Sequence, residues 1–200
     1  YMEKVGSLGH RMMKQTASIQ VNFDFSNETD AMMKFKVGMG LVPLLTAMFA
    51  NSPISDGKLN GFMTMRGHVW TDTARRRCGL LPFAFADSPS FEDYTEYALN
   101  IPMYGIVRQG QWINMTHLSF RQFLENGHNN ERATLEDWGI HLTTLFPEVR
   151  IKKYLEIRCF DNQPFEYMLA VPALTKGIFF DNDPLVAAWD LVKKWSWEER

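Results

Sequence analysis

Two cysteines in 200 residues, Cys78 and Cys159, form no CxxC pair and exclude both a disulfide framework and a cysteine-built zinc site. A reducing compartment follows, and the expected location is cytoplasmic. Excess charge is lacking too. The formal net charge is −2, so no basic field argues for a nucleic-acid partner. The longest largely apolar run, Val37 to Ala50, falls short of the ~20 residues that span a bilayer, and Pro43 interrupts it, so no membrane partner is expected. No signal peptide is expected, and the sequence shows no low-complexity segment or internal repeat. There is also no phosphate-binding glycine loop: Gly38-x-Gly40 sits inside a helical pattern, with no Gly-Lys-Ser/Thr after it.

What is present is a core. The chain is 46% hydrophobic, with 15 Phe, 6 Trp and 12 Met, and fits one globular domain over residues 1–200 with an aromatic-rich interior. Both ends read as cut. The chain opens on Tyr1-Met2, and Ser196-Trp197-Glu198-Glu199 is a Ser-x-x-Glu box announcing a further helix.

Ala17 to Phe25 is the clearest strand, with Ile19, Val21, Phe23 and Phe25 alternating with Ser18, Gln20, Asn22 and Asp24. Ser26 or Asn27 then caps a helix whose stripe is Met32, Phe35, Met39, Val42, Thr46 and Phe49, weakened by Gly38, Gly40 and Pro43. Ile54 to Pro82 reads as a long loop with little regular structure. Its Arg66, Arg75, Arg76 and Arg77 form either an anion site or a solvated charge run. Helices are expected from Phe91, from Ser119, from Thr134 (with Leu135, Trp138, Leu142 and Leu145 apolar), from Pro172 and from Pro184 with Asp183 as cap. A hairpin turns at Gln109-Gly110. Elements mixed without regular βαβ repeats indicate an α+β fold with an antiparallel sheet and helices on one face.

The charged strand carries the chemistry. From Tyr154 the chain alternates, so Tyr154, Glu156 and Arg158 share one face, and Leu155, Ile157 and Cys159 share the other. An acid and a base about 7 Å apart on one face can address one site, holding a cation and an anionic oxygen respectively. The plainer alternative is an ion pair on a wet sheet face.

The stretches Lys4-Val5-Gly6-Ser7-Leu8-Gly9, Gln20-Val21-Asn22-Phe23-Asp24-Phe25-Ser26, Met65-Arg66-Gly67-His68-Val69-Trp70-Thr71-Asp72-Thr73, Ile101-Pro102-Met103-Tyr104, His141 through Arg150 and Ala188-Trp189-Asp190-Leu191-Val192 occur in an order that resembles the plant and proteobacterial type of glutamate–cysteine ligase, in the glutamine synthetase superfamily. That resemblance implies ATP-dependent ligation of the glutamate γ-carboxylate to the cysteine amine through an acyl phosphate, with magnesium, as the first step of glutathione synthesis. The small molecules glutamate, cysteine and ATP would be its partners. It implies Glu156 as a magnesium ligand, Arg158 at the phosphoryl group, Gln20 and Asn22 at the nucleotide and metal edge, Arg66 on the substrate α-carboxylate, and Trp70 and Tyr104 as pocket walls. It also implies that a first catalytic strand lies upstream of Tyr1. The plant regulatory cysteines have no match here: Met115 and Leu169 stand at two of those positions, so redox control is not implied. Other readings are a related glutamate–amine ligase of another thiol pathway, or a non-catalytic relative that binds a nucleotide or an amino acid.

Overall fold

A computed structural model describes residues 5–200. The opening Tyr1-Met2 and Lys4 of the first matched stretch lie outside the described residues.

A short helix α1 (Gly9–Gln15) precedes strand β1 (Ser18–Phe23) and the long helix α2 (Glu28–Met48). The capping expectation holds at α2: the Asn27 side chain accepts from the Asp30 N–H. The stretch expected as loop carries more order than its composition suggested. It holds the small hairpin β2 (Ile54–Ser55) and β3 (Lys58–Leu59), helix α3 (Met65–Thr71) and strand β4 (Cys78–Gly79). The Thr64 hydroxyl accepts from Gly67 N and opens α3, a Thr-cap that the surrounding glycines and arginines obscure in the sequence.

Then come α4 (Phe91–Asn100), the hairpin β5 (Gly105–Arg108) and β6 (Gln111–Asn114), α5 (Phe120–Asn126) and α6 (Leu135–Thr143). Capping boxes at Ser90, Ser119 and Thr134 open these three helices. Leu135 is 89% exposed rather than on the apolar stripe, because it occupies the first turn. Strands β7 (Phe146–Pro147), β8 (Val149–Ile151) and β9 (Leu155–Asp161) lead to α7 (Ala170–Phe179) and α8 (Asn182–Val192). The cap of α8 is Asp181, whose carboxylate accepts from Asp183 N, so that helix starts earlier than its proline suggests.

The fold is mixed helix and sheet, and the described strands named above pair antiparallel except for the short parallel contact of β4 with β7. The central sheet has the order β1-β9-β8. Its register slips between Ile19 and Val21, so that Arg158 and Cys159 together oppose Gln20. One extra residue on β9 lets the consecutive Cys159 and Phe160 both enter the apolar core, which strict alternation forbids. Both cysteines are buried and free.

Helix α2 covers the apolar side of β9 and packs against α8, and α7 brings Phe179 to 4.8 Å from Phe23. The glycines that weaken α2 locally are what let it pack. A Cβ at Gly38 would meet Val149 at 3.1 Å, and one at Gly40 would meet Val192 at 2.7 Å. By length and composition α2 is also long and apolar enough to cross a membrane, which corrects the reading that its run is too short. In this fold it is the central core helix, with Phe35, Val37 and Met39 fully buried.

Asp161, 2% exposed, ties the 49–64 loop to the end of β9. Its carboxylate accepts from Asn51 N (2.7 Å), Ser52 Oγ (2.7 Å) and Thr64 Oγ1 (2.9 Å). Asp161→Ala strands three donors in a partly buried site and is expected to cost about 2–4 kcal/mol in urea unfolding. A loss below ~0.5 kcal/mol would show that the loop is anchored elsewhere.

Burial holds His141 down at about 4, against the pull of the Ala98 carbonyl, 2.8 Å from its Nε2. The folded imidazole stays neutral while the unfolded one protonates near 6.5. Protons therefore favour the unfolded chain between about 6.5 and 4, and stability falls as pH drops through that window. The expected loss between pH 7 and pH 5 is about 2 kcal/mol, and His141→Gln should remove most of it. Equal pH slopes for the two proteins would contradict this.

Candidate active site

The residues of interest meet on the face of β9 opposite α2. Antiparallel pairing sets Asn22 of β1 and Arg150 of β8 directly across from Glu156. The turn between β8 and β9 closes with Lys152 N donating to Tyr154 O at 2.8 Å, which fixes that register. Glu156 is held from both sides. Arg150 donates to Oε2 through Nε at 2.8 Å and Nη2 at 2.7 Å, and Arg158 donates to Oε1 through Nη1 at 2.9 Å. The Arg158 Nη1 also reaches Gln20 Oε1 at 3.0 Å. Arg150 Nη1 is spent on the carbonyls of Thr143 and Leu145, both at 3.0 Å.

Arg150, Glu156 and Arg158 are 8%, 4% and 7% exposed, so this is no wet sheet face. Gln20 and Asn22, on the edge strand, are exposed. Two guanidiniums and one carboxylate leave a net positive charge in a buried place. Burial, and next the neighbouring Arg150, pull Arg158 below the usual guanidinium range, though the group remains a cation. Such a trio favours an incoming anion.

Arg66 joins the cluster from α3. It is 4% exposed, and its Nη2 donates to the Arg158 carbonyl. The Trp70 ring lies 5.8 Å from the Arg66 guanidinium and 5.9 Å from Phe146, and Phe146 lies 5.6 Å from the Arg158 guanidinium. The indole N–H of Trp70 is buried with no hydrogen-bond partner. A buried orphan donor beside a guanidinium suits a carboxylate ligand. The Tyr104 ring carries the Arg77 guanidinium at 4.0 Å, and the Arg77 carbonyl accepts from Phe146 N. The arginine run therefore splits: Arg66 and Arg77 are buried in different places, while Arg75 and Arg76 are exposed.

The residue that sequence reasoning missed is Arg150. Its signal was available, because a tight turn at 152–154 sets Arg150 opposite Glu156. The magnesium role implied for Glu156 meets an obstacle. Among the described residues no group of three His, Cys, Asp or Glu converges to hold a metal, and both Glu156 oxygens are taken by arginines. These residues by themselves do not compose a magnesium site.

The model of the family described as glutamate–cysteine ligase family 2 matches residues 1–200. The chain belongs to that family. It is 49% identical to the chloroplastic glutamate–cysteine ligase of Brassica juncea over 203 residues, all of this chain and 40% of that relative. The counterparts in Arabidopsis thaliana and Medicago truncatula are also 49% identical over 203 residues, covering 39% and 40% of those proteins. The chain thus spans about two-fifths of the length of the curated relatives it matches. Their names place those enzymes in the chloroplast, which overturns the cytoplasmic expectation. Unpaired cysteines speak to redox conditions and do not distinguish one reducing compartment from another.

In this ligase-family chain, Arg150→Met removes the two-pronged partner of Glu156 and frees two carbonyls. It is expected to destabilise the fold by about 3–5 kcal/mol, measured by chemical unfolding. A cost under ~1 kcal/mol would mean that Arg158 alone satisfies the carboxylate.

Proposed function

We propose that the whole protein joins the γ-carboxylate of L-glutamate to the amine of L-cysteine, driven by ATP through a γ-glutamyl phosphate, as the first step of glutathione synthesis. The observation that carries this reading is the match of all 200 residues to the ligase family, together with the buried, net-positive cluster on β9. A glutamine synthetase-like arrangement of the sheet belongs to the same reading. Its chemistry brings a nucleotide, a transferring phosphoryl group and a carboxylate together, so fixed cations must meet the crowded negative charge.

Arg158 is the guanidinium at the transferring phosphoryl group. Glu156 and Arg150 position it: the carboxylate fixes one edge of Arg158 and is itself held by a partner anchored to two carbonyls. Arg66 receives the α-carboxylate of glutamate, with the unpartnered Trp70 N–H as a second donor. Tyr104 supports Arg77 and acts through it. Gln20 and Asn22, exposed beside the cluster, edge the nucleotide. A cavity of about 390 Å³ walled by Phe25, Phe91, Tyr94 and Trp138 borders this face through Thr143 and carries Lys152 and Lys153. Aromatic walls with two lysines suit a purine and its phosphates. Magnesium would add charge screening to this family's reaction; none of the residue roles above depends on it.

The test is steady-state kinetics of the full-length protein. Arg158→Lys keeps the charge and loses the planar fork, and should lower kcat about 10²–10³-fold. Arg66→Ala should raise the KM for glutamate by at least about tenfold and leave the KM for ATP within about twofold. Equal effects on the two substrates would remove Arg66 from the glutamate pocket.

A further inference from the structure

A polar cavity of about 350 Å³ lies between the C-terminus of α4, the turn after β6 and the first turn of α5. Arg76, His117 and Arg121 line it, each from a different segment, and no Asp or Glu stands among its described lining residues. Arg76 belongs to the exposed part of the arginine run. Its Nη2 donates to the Asn100 carbonyl at 2.9 Å, and no carboxylate pairs with it among the described residues. Arg121 spends Nη2 on Glu96 Oε2 at 2.5 Å and keeps the rest of its fork. The Ser119 hydroxyl accepts from Gln122 N at 3.2 Å and retains its own proton to donate. His117 stands edge-on to His128, with ring centroids 4.8 Å apart, and an imidazole offers a ring N–H in either protonation state. A planar carboxylate is satisfied by one guanidinium fork. Donors that arrive from several segments surround an anion instead, and a tetrahedral oxyanion has an oxygen for each. The cavity is larger than inorganic phosphate, which leaves room for a small group esterified to it.

We propose that this cavity binds a phosphoryl group, as inorganic phosphate or a small phosphate monoester, with Arg76 and Arg121 as its cations and Ser119 and His117 as further donors. None of its lining residues belongs to the β9 cluster, so the site is additional to the ligase chemistry. It communicates with that chemistry through the next residue in the chain. Arg77 donates through Nη2 to the carbonyl of Pro102, a wall of the cavity, at 2.5 Å, and through Nη1 to the Thr144 carbonyl at 2.9 Å. The Arg77 carbonyl in turn accepts from Phe146 N, beside Trp70 and Arg158. A phosphate held by Arg76 and Arg121 ties this segment to α5 and stiffens the brace behind Phe146.

The experiment is equilibrium dialysis of the full-length protein against radiolabelled inorganic phosphate, at fixed ionic strength so that general screening is constant. Arg76→Gln and Arg121→Gln should each weaken binding about three- to tenfold, the range for a charge-assisted contact at a partly exposed site. Arg75→Gln removes a neighbouring exposed charge outside the cavity and should leave this binding within about twofold, as should Arg158→Lys on β9. Sulfate and glycerol phosphate should displace the label, and acetate should not. A ligand that binds only the folded chain raises its unfolding midpoint, so phosphate should raise the Tm of the wild type and of Arg75→Gln more than that of Arg76→Gln. Equal weakening by Arg75→Gln and Arg76→Gln would show a general charge field and overturn the site. Binding lost in Arg158→Lys and kept in Arg76→Gln would put the phosphate at β9 and overturn it too. Displacement by acetate as effective as by sulfate would contradict the tetrahedral ligand.

Discussion

The carboxylate of Glu156 is gripped by two buried guanidiniums, and much of the molecule serves that grip. Isolated charges taken out of water are costly, and a buried ion pair repays the cost only when its geometry is tight and its remaining polar atoms are satisfied. Here Arg150 closes its side with the Thr143 and Leu145 carbonyls, and Arg158 closes its side with Gln20. The trio is satisfied yet keeps a net positive charge. That combination makes it a rigid receiver for an anion rather than a plain structural bridge.

The surrounding fold supplies what the trio needs. Helix α2 packs on the apolar side of β9, and its glycines let β8 and α8 approach closely. The bulge opposite Gln20 lets two consecutive residues after Arg158 face the core, which ends the charged face at Arg158. Asp161, one step beyond, secures the loop that leads into α3, and α3 in turn delivers Arg66 to the Arg158 carbonyl. A loop that looked unstructured is thus the arm that carries Arg66 to the charged cluster.

Local signals carried the fold well. The Ser-x-x-Asp, Ser-x-x-Gln and Thr-x-x-Asp boxes, the Gln109-Gly110 turn and the alternation of β1 all stand where their chemistry puts them. Long-range facts were less legible. Period two gave Glu156 and Arg158 one face, but it could not say that the face is buried, because burial depends on what covers it. Nor does alternation alone show that Arg150 is the partner; that takes the tight turn at 152–154, which sets the pairing of the two strands. The four arginines of 66–77 read alike in the sequence, and only packing separates the buried Arg66 and Arg77 from their exposed neighbours. The cellular compartment was not written in two cysteines at all.

The central claim is that this charged face serves a ligase working through an acyl phosphate. The most direct measurement follows oxygen. The full-length protein is given ATP, L-cysteine and L-glutamate labelled with ¹⁸O in the γ-carboxylate, and the released phosphate is weighed by mass spectrometry. One labelled oxygen in each phosphate, appearing only when glutamate is present, is the predicted result. Phosphate carrying only unlabelled oxygen would mean that water or another group attacks the nucleotide, and would contradict the account.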